Sequence, residues 1–315
     1  MDFEWKGVMP AITTPFDEEL NIDRKALMSH VRWLADNGAE GIVTNGSLGE
    51  GATLTFEEKA TLWETCVEAL EGRIPVIASI ASPSTREAIE LTKAAEAAGC
   101  GGIMVLPPYV YEGDWNETRT HVSEILKGTR LTAMLYNNPV AYGTDFSASQ
   151  IKELSELHPN LLAVKESSGD ARRISAIREL CGDRLNVFVG LDDAIVEGVA
   201  AGAVGWVAGL VNALPKESVR LFEMARNGEN CDDLYHWFLP LLRLDVVPKF
   251  VQLIKLVQKE VGHGETRVRP PRLEIQGDEL EHVQALIRRA IESRPEIVID
   301  ADNDNSGVNA KTARI

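Results

Sequence analysis

The chain has 315 residues, 44% hydrophobic and 25% charged, enough for two ordinary domains or one large α/β barrel. Forty-eight acidic residues against 32 basic ones give a formal net charge of -16, which argues against nucleic acid or an anionic membrane surface as partner. No apolar run is long enough to span a membrane, and residues 1–10 lack the core of a secretory signal. Cys66, Cys100, Cys181 and Cys231 are far apart and form no CxxC, so free thiols in a cytoplasmic protein are expected.

Residues 8–14 read as a first strand. Asp23 then caps a helix to Asn37, with Gly38 as its stop. A short strand at 41–44 enters Asn45-Gly46-Ser47-Leu48-Gly49-Glu50-Gly51, and Thr55 with Glu58 opens a helix in capping-box form. Strands follow at 74–80, 103–106, 131–136, 161–165, 186–189 and 204–208. Helices are predicted between them at 84–98, 114–126, 147–157, 170–180 and 194–201.

Continuous apolar strands, each followed by a helix, are parallel strands covered on both faces. Eight such units point to a (β/α)₈ TIM barrel rather than an open sheet, and no GxGxxG fingerprint follows the first strand. Helical stretches near 232–242, 248–261 and 278–292 read as a C-terminal three-helix extension packed on the barrel. The expected division is a barrel over 1–225, the extension over 226–294, and a flexible acidic tail over 295–315.

In such barrels the reacting groups stand at the C-terminal ends of the strands. Those ends are poor in metal ligands: the six histidines show no HxH or HExxH spacing, and Asp192-Asp193 reads better as a helix cap than as a magnesium site. No metal and no cofactor is expected. Four apolar residues, Leu161 to Val164, run straight into Lys165. One reading is a strand-end lysine paired with Glu166; the other is a desolvated amine able to attack a carbonyl. Tyr136 could relay protons, and the amides and hydroxyl of Gly46-Ser47-Leu48-Gly49 could bind the carboxylate of a 2-oxo acid. The turn at 202–205 could cradle a phosphate, but no basic residue lies near it in sequence.

These residues resemble the dihydrodipicolinate synthase/N-acetylneuraminate lyase family. Gly46-Ser47-Leu48-Gly49-Glu50 is similar to its GxxGE loop, Tyr136-Asn137-Asn138-Pro139 to its YNxP segment, and Val164-Lys165-Glu166 to its Schiff-base strand. The resemblance implies that Lys165 forms an imine with a 2-oxo acid or cyclic imino acid and that Tyr136 moves protons. It further implies that Gly46, Ser47, Leu48, Asn138, Gly190 and Val207 bind substrate, and that the protein is a homotetramer built as a dimer of dimers.

Three departures bear on the substrate. Synthases of the family carry an arginine two residues after the proline of YNxP, where this chain has Ala141. Their tyrosine pair after the fourth strand reads Tyr109-Val110 here, and the second threonine of their GTTGE loop is Leu48. Another set of stretches is closer to one branch: Lys165-Glu166-Ser167-Ser168-Gly169-Asp170 with Arg172-Arg173, Gly190-Leu191-Asp192-Asp193, Gly205-Trp206-Val207, Trp237-Phe238-Leu239-Pro240-Leu241-Leu242 and Arg269-Pro270-Pro271-Arg272. They resemble the Δ1-pyrroline-4-hydroxy-2-carboxylate deaminases of hydroxyproline breakdown, which implies conversion of that imino acid to 2,5-dioxopentanoate and ammonia. The alternatives are a 4-hydroxy-tetrahydrodipicolinate synthase, a 2-keto-3-deoxy sugar acid aldolase or dehydratase, a metal-dependent enolate aldolase, and a barrel kept only to bind a ligand.

Overall fold

Eight short strands, buried along almost their whole length, form the centre of the computed structural model, which describes residues 3–296. They are β1 (Gly7–Pro10), β2 (Ile42–Thr44), β3 (Val76–Ile80), β4 (Gly102–Val105), β5 (Thr132–Asn137), β6 (Leu161–Glu166), β7 (Asn186–Val189) and β8 (Gly205–Ala208). All neighbours pair in parallel from β2 through β8, and β8 pairs with β1. The barrel closes where Ala11 bridges Val43 and the Ile12 N–H donates to the Val43 carbonyl at 2.9 Å. That closure explains why the first strand ends before Thr14: after Pro10 the chain leaves β8 and turns its hydrogen bonds toward β2.

The helices in chain order are α1 (Arg24–Asp36), α2 (Phe56–Leu70), α3 (Thr85–Ala97), α4 (Trp115–Lys127), α5 (Pro139–Tyr142) and α6 (Ala148–Leu157). They continue as α7 (Arg172–Cys181), α8 (Ile195–Ala200), α9 (Pro215–Asn227), α10 (Asp232–Leu242), α11 (Phe250–Glu260) and α12 (Gly277–Glu292). Side chains start several of them. Asp23 accepts from the Ala26 N–H at 2.9 Å, and Thr55, Asp114 and Ser147 each form a reciprocal capping box. Each such cap is worth roughly 0.5–2 kcal/mol.

Two helices lie where the sequence reading places none. Both α5 and α9 begin with proline at the first position, whose fixed φ and missing N–H suit a helix start. The expected tail lies outside the described residues from 297 onward.

The extension is bolted to the barrel mouth by buried polar groups. Lys255 of α11 is 2% exposed, and its ammonium donates to the Thr14 carbonyl (2.8 Å), to Glu50 Oε1 (2.7 Å) and to the Arg267 carbonyl (2.6 Å). Glu50 is fully buried, and its Oε2 accepts from the Arg269 N–H at 3.0 Å. Removing one partner of a buried pair leaves the other charge unsolvated, at a cost of roughly 3–5 kcal/mol. Lys255→Met should therefore lower the stability of the chain by about that amount in urea denaturation. A loss below about 1 kcal/mol would show that the pair does not anchor the extension.

Candidate active site

Register alone places the central residues on one side of the sheet. Tyr136 of β5 pairs with Lys165 of β6, and Lys165 with Phe188 of β7. Phe188 pairs with Gly205 of β8, whose missing side chain leaves room for the phenyl ring. Side chains alternate along a strand, so Val207, two residues beyond Gly205, shares that inward face.

Lys165 is buried, and its amine lies 4.4 Å from the centroid of the Tyr136 ring. Glu166 is not its partner. That carboxylate accepts from Asn137 Nδ2 at 2.9 Å and from the Ser168 N–H at 2.6 Å, which turns it away along the strand end. Burial therefore dominates the amine and pulls its pKa down to about 8, against the opposing pull of the Asp245 and Asp192 carboxyls. Gly190 packs against the lysine stem: a Cβ there would lie 2.8 Å from Lys165 Cε and 1.9 Å from Ser167 Oγ.

The Tyr136 hydroxyl accepts from Asn138 Nδ2 at 2.9 Å, and burial raises its pKa. Asn138 Oδ1 meanwhile accepts from the Ala141 N–H at 3.0 Å, as the cap of α5. Asn138, which the resemblance implies binds substrate, here orients the tyrosine and starts the short helix.

Gly46, Ser47 and Leu48 lie in the loop after β2, between Asn45 (φ 44°) and Glu50 (φ 55°), both in left-handed backbone. Asn45 is held by the Ser79 carbonyl (2.7 Å) and by Trp63 Nε1 (2.7 Å), and Glu50 by Lys255. The loop is thus fixed at both ends, and strained backbone of this kind collects at functional sites.

Tyr142 was not among the predicted site residues. It ends α5, its hydroxyl hydrogen-bonds Ser47 Oγ, and its ring meets the Tyr136 ring edge-on at 5.7 Å. The Tyr109 ring lies 6.4 Å from that of Tyr142. The chain thus has a second phenol beside Tyr136, although Val110 stands where a paired tyrosine is expected. Only the four-residue helix swings Tyr142 inward, and the Asn-Pro start of that helix was the available signal. A cavity of about 190 Å³ adjoins these groups, lined among others by Ser47, Tyr109, Tyr142, Lys59 and Arg272. Neither cation is visible as a site residue in the sequence.

Asp192 does not cap its own helix. Its buried carboxylate accepts from the Gly209 N–H (3.1 Å), the Leu210 N–H (2.7 Å) and Trp206 Nε1 (3.1 Å), tying the ends of β7 and β8 together. Burial still raises its pKa to about 6. Among the described residues no group of three or more His, Cys, Asp or Glu side chains is arranged to hold a metal ion, and no helix is long and apolar enough to cross a membrane.

A desolvated amine, a buried phenol and a rigid loop of amides and hydroxyl can together attack a carbonyl, move protons and hold a carboxylate. The sign of the pH dependence follows from Lys165. Below about pH 8 the amine is protonated and inert, so borohydride trapping of a 2-oxo acid should accelerate as pH is raised toward that value. A rate independent of pH between 6 and 8 would exclude Lys165 as nucleophile. Tyr142→Phe should leave the Lys165 adduct intact. By freeing Ser47 of its partner, it should change the 2-oxo acid concentration for half-maximal trapping by about 5–10-fold, the worth of one hydrogen bond.

The sequence profile described as the Dihydrodipicolinate synthetase family matches residues 4–290. A 4-hydroxy-tetrahydrodipicolinate synthase of Bartonella bacilliformis is 30% identical over 287 residues, 90% of this chain and 98% of that protein. One of Methanoculleus marisnigri is 32% identical over 288 residues, with the same two shares. The solved structure of the 4-hydroxy-tetrahydrodipicolinate synthase of Methylacidiphilum fumariolicum superposes with a TM-score of 0.88 at 30% identity, covering 92% of this chain and 97% of that one. A barrel of this topology, matched over nearly its full length in sequence and in structure, leaves one conclusion: the chain belongs to the dihydrodipicolinate synthetase family.

Proposed function

We propose that this protein is a Schiff-base lyase acting on a 2-oxo acid, with Lys165 as nucleophile. The observation that carries the proposal is the buried Lys165 amine, lying against the Tyr136 ring with its pKa drawn down to about 8. Ser47 and the amide of Leu48 would hold the substrate carboxylate, and Lys165 would attack C2. The protonated imine then serves as an electron sink for a carbanion at C3. Tyr136 is the proton carrier in this scheme. The dimer-of-dimers tetramer belongs to the same reading, and sedimentation of the purified protein tests it.

For the second substrate, the names of the relatives support a 4-hydroxy-tetrahydrodipicolinate synthase, in which the C3 carbanion attacks an aldehyde. Lys59 and Arg272 add to that support, because they place positive charge along the adjoining cavity although position 141 offers none. One observation favours a second reading. Ala141 cannot clamp a carboxylate, and a smaller substrate such as Δ1-pyrroline-4-hydroxy-2-carboxylate needs no such clamp. Lys165 would open its ring, and loss of a C3 proton would expel the 4-hydroxyl.

The protein incubated with pyruvate and borohydride should gain one covalent adduct, found on Lys165 by peptide mass, and Lys165→Ala should gain none. A wild-type protein that stays unmodified would overturn the lyase proposal. Condensation of pyruvate with aspartate semialdehyde, measured beside ammonia release from the pyrroline, decides between the two substrate readings.

A further inference from the structure

Asp245 has no part in the chemistry described so far. It comes from the C-terminal extension, in a 3₁₀ turn at Arg243–Asp245 between α10 and α11. Its carboxyl lies over the end of β8, where a Cβ on Gly209 would fall 1.9 Å from Asp245 Oδ1. That oxygen is inaccessible to solvent and has no hydrogen-bond partner. Gly209 also donates to Asp192, and Gly190, two residues before Asp192, packs on the Lys165 stem, so these contacts run from Asp245 to the amine. The charged and titratable groups that face Asp245 are Lys165 from β6, Tyr136 from β5, and Asp192 and Asp193 from the turn after β7. Tyr136 approaches Lys165 from β5, and it too lies within reach of the Asp245 charge, so amine, phenol and carboxyl share one site.

The buried Asp192 carboxyl and the inward Oδ1 of Asp245 differ in what they are offered. Three N–H groups point at Asp192 and stabilise its charged form. Asp245 Oδ1 is offered none, and a buried oxygen without a donor is best satisfied by carrying the proton itself. Burial and the neighbouring Asp192 accordingly push the Asp245 pKa well above the usual carboxylate range. A proton on Asp245 thereby shares the site with an amine that loses its own proton near pH 8.

We infer that Asp245 is the proton donor for imine formation at Lys165 and, once ionised, the counter-ion of the imine. The inference rests on the imine chemistry proposed for Lys165. In the first step the lysine nitrogen bonds to C2 of the 2-oxo acid, and one of its protons passes to the carbonyl oxygen, giving a neutral carbinolamine. The C2–O bond then breaks. The departing hydroxyl takes the Asp245 proton and leaves as water, while the nitrogen lone pair closes the C=N bond. The cation so formed faces the Asp245 carboxylate, and no net charge is created in the buried site. Hydrolysis of the product imine runs the same steps backwards and restores the proton.

Amine and carboxyl together hold one proton in the reactive form, so they titrate as a pair. The rate of adduct formation with pyruvate, followed by rapid quenching into borohydride and intact mass, should be bell-shaped in pH for the wild type. Below the optimum both groups are protonated, and above it neither is. Asp245→Asn should slow adduct formation about 100-fold, the usual contribution of a positioned general acid, and should turn the bell into a curve that rises and then stays flat. Asp245→Glu, which keeps a carboxyl, should recover part of the rate and the falling limb. Thermal melts identify the variants that fold, and the wild-type profile is read without any substitution. A folded Asp245→Asn protein that matches the wild type in rate and profile would overturn the role of Asp245 alone. A wild-type profile without a falling limb would do the same. A wild type that forms no adduct with pyruvate would overturn both this inference and the lyase proposal.

Discussion

The ion pair between Lys255 and Glu50 joins parts of the chain that are 205 residues apart. A buried pair of this kind survives only when further hydrogen bonds satisfy the remaining donors and acceptors. Here the Thr14 and Arg267 carbonyls and the Arg269 N–H do so. Its consequence is geometric. Glu50 ends the loop that carries Ser47 and Leu48, and α11 follows the turn that carries Asp245. Loop and extension are fixed to the same buried point.

Around Lys165 the protein sets solvation against charge. Removing water from an ammonium lowers its pKa, whereas two nearby carboxyls raise it, and the balance lies at about 8. Without the carboxyls the amine would lose its proton at a lower pH still, with no acid beside it. With a carboxylate in ion-pair contact, as Glu166 could have provided, it would stay charged and inert. Asn137 and Ser168 keep Glu166 occupied, so its place in the sequence beside Lys165 has no electrostatic consequence for the amine.

The region after β5 shows how a short segment can redirect a site. Asn138 caps α5 and Pro139 opens it, and three residues later Tyr142 reaches Ser47. The same helix carries Ala141, where synthases of the family have a carboxylate-gripping arginine. The segment therefore offers a phenol in place of a cation, and that phenol lies on the loop after β2. Lys59 and Arg272, from α2 and from the strand-free stretch before α12, bring positive charge back from another direction.

The sequence by itself determined the barrel. Each strand is an apolar run bounded by turn residues and several helices start at local caps, and these are short-range signals that survive in one dimension. It also placed Lys165 and Tyr136, because strand ends are reacting positions in any barrel and register is a local property. Short-range patterns missed α9 and α5, whose starts depend on proline rather than on a capping hydroxyl or carboxylate. What only the tertiary structure decided was which groups meet the amine and the loop. Glu166, adjacent in sequence, turns away, while Asp245, 80 residues on, and Lys255, over 200 residues from Glu50, come in. Such long-range partners are chosen by closure of the barrel and packing of the extension. Their energy comes from the removal of water, for which a linear sequence carries no periodic signal.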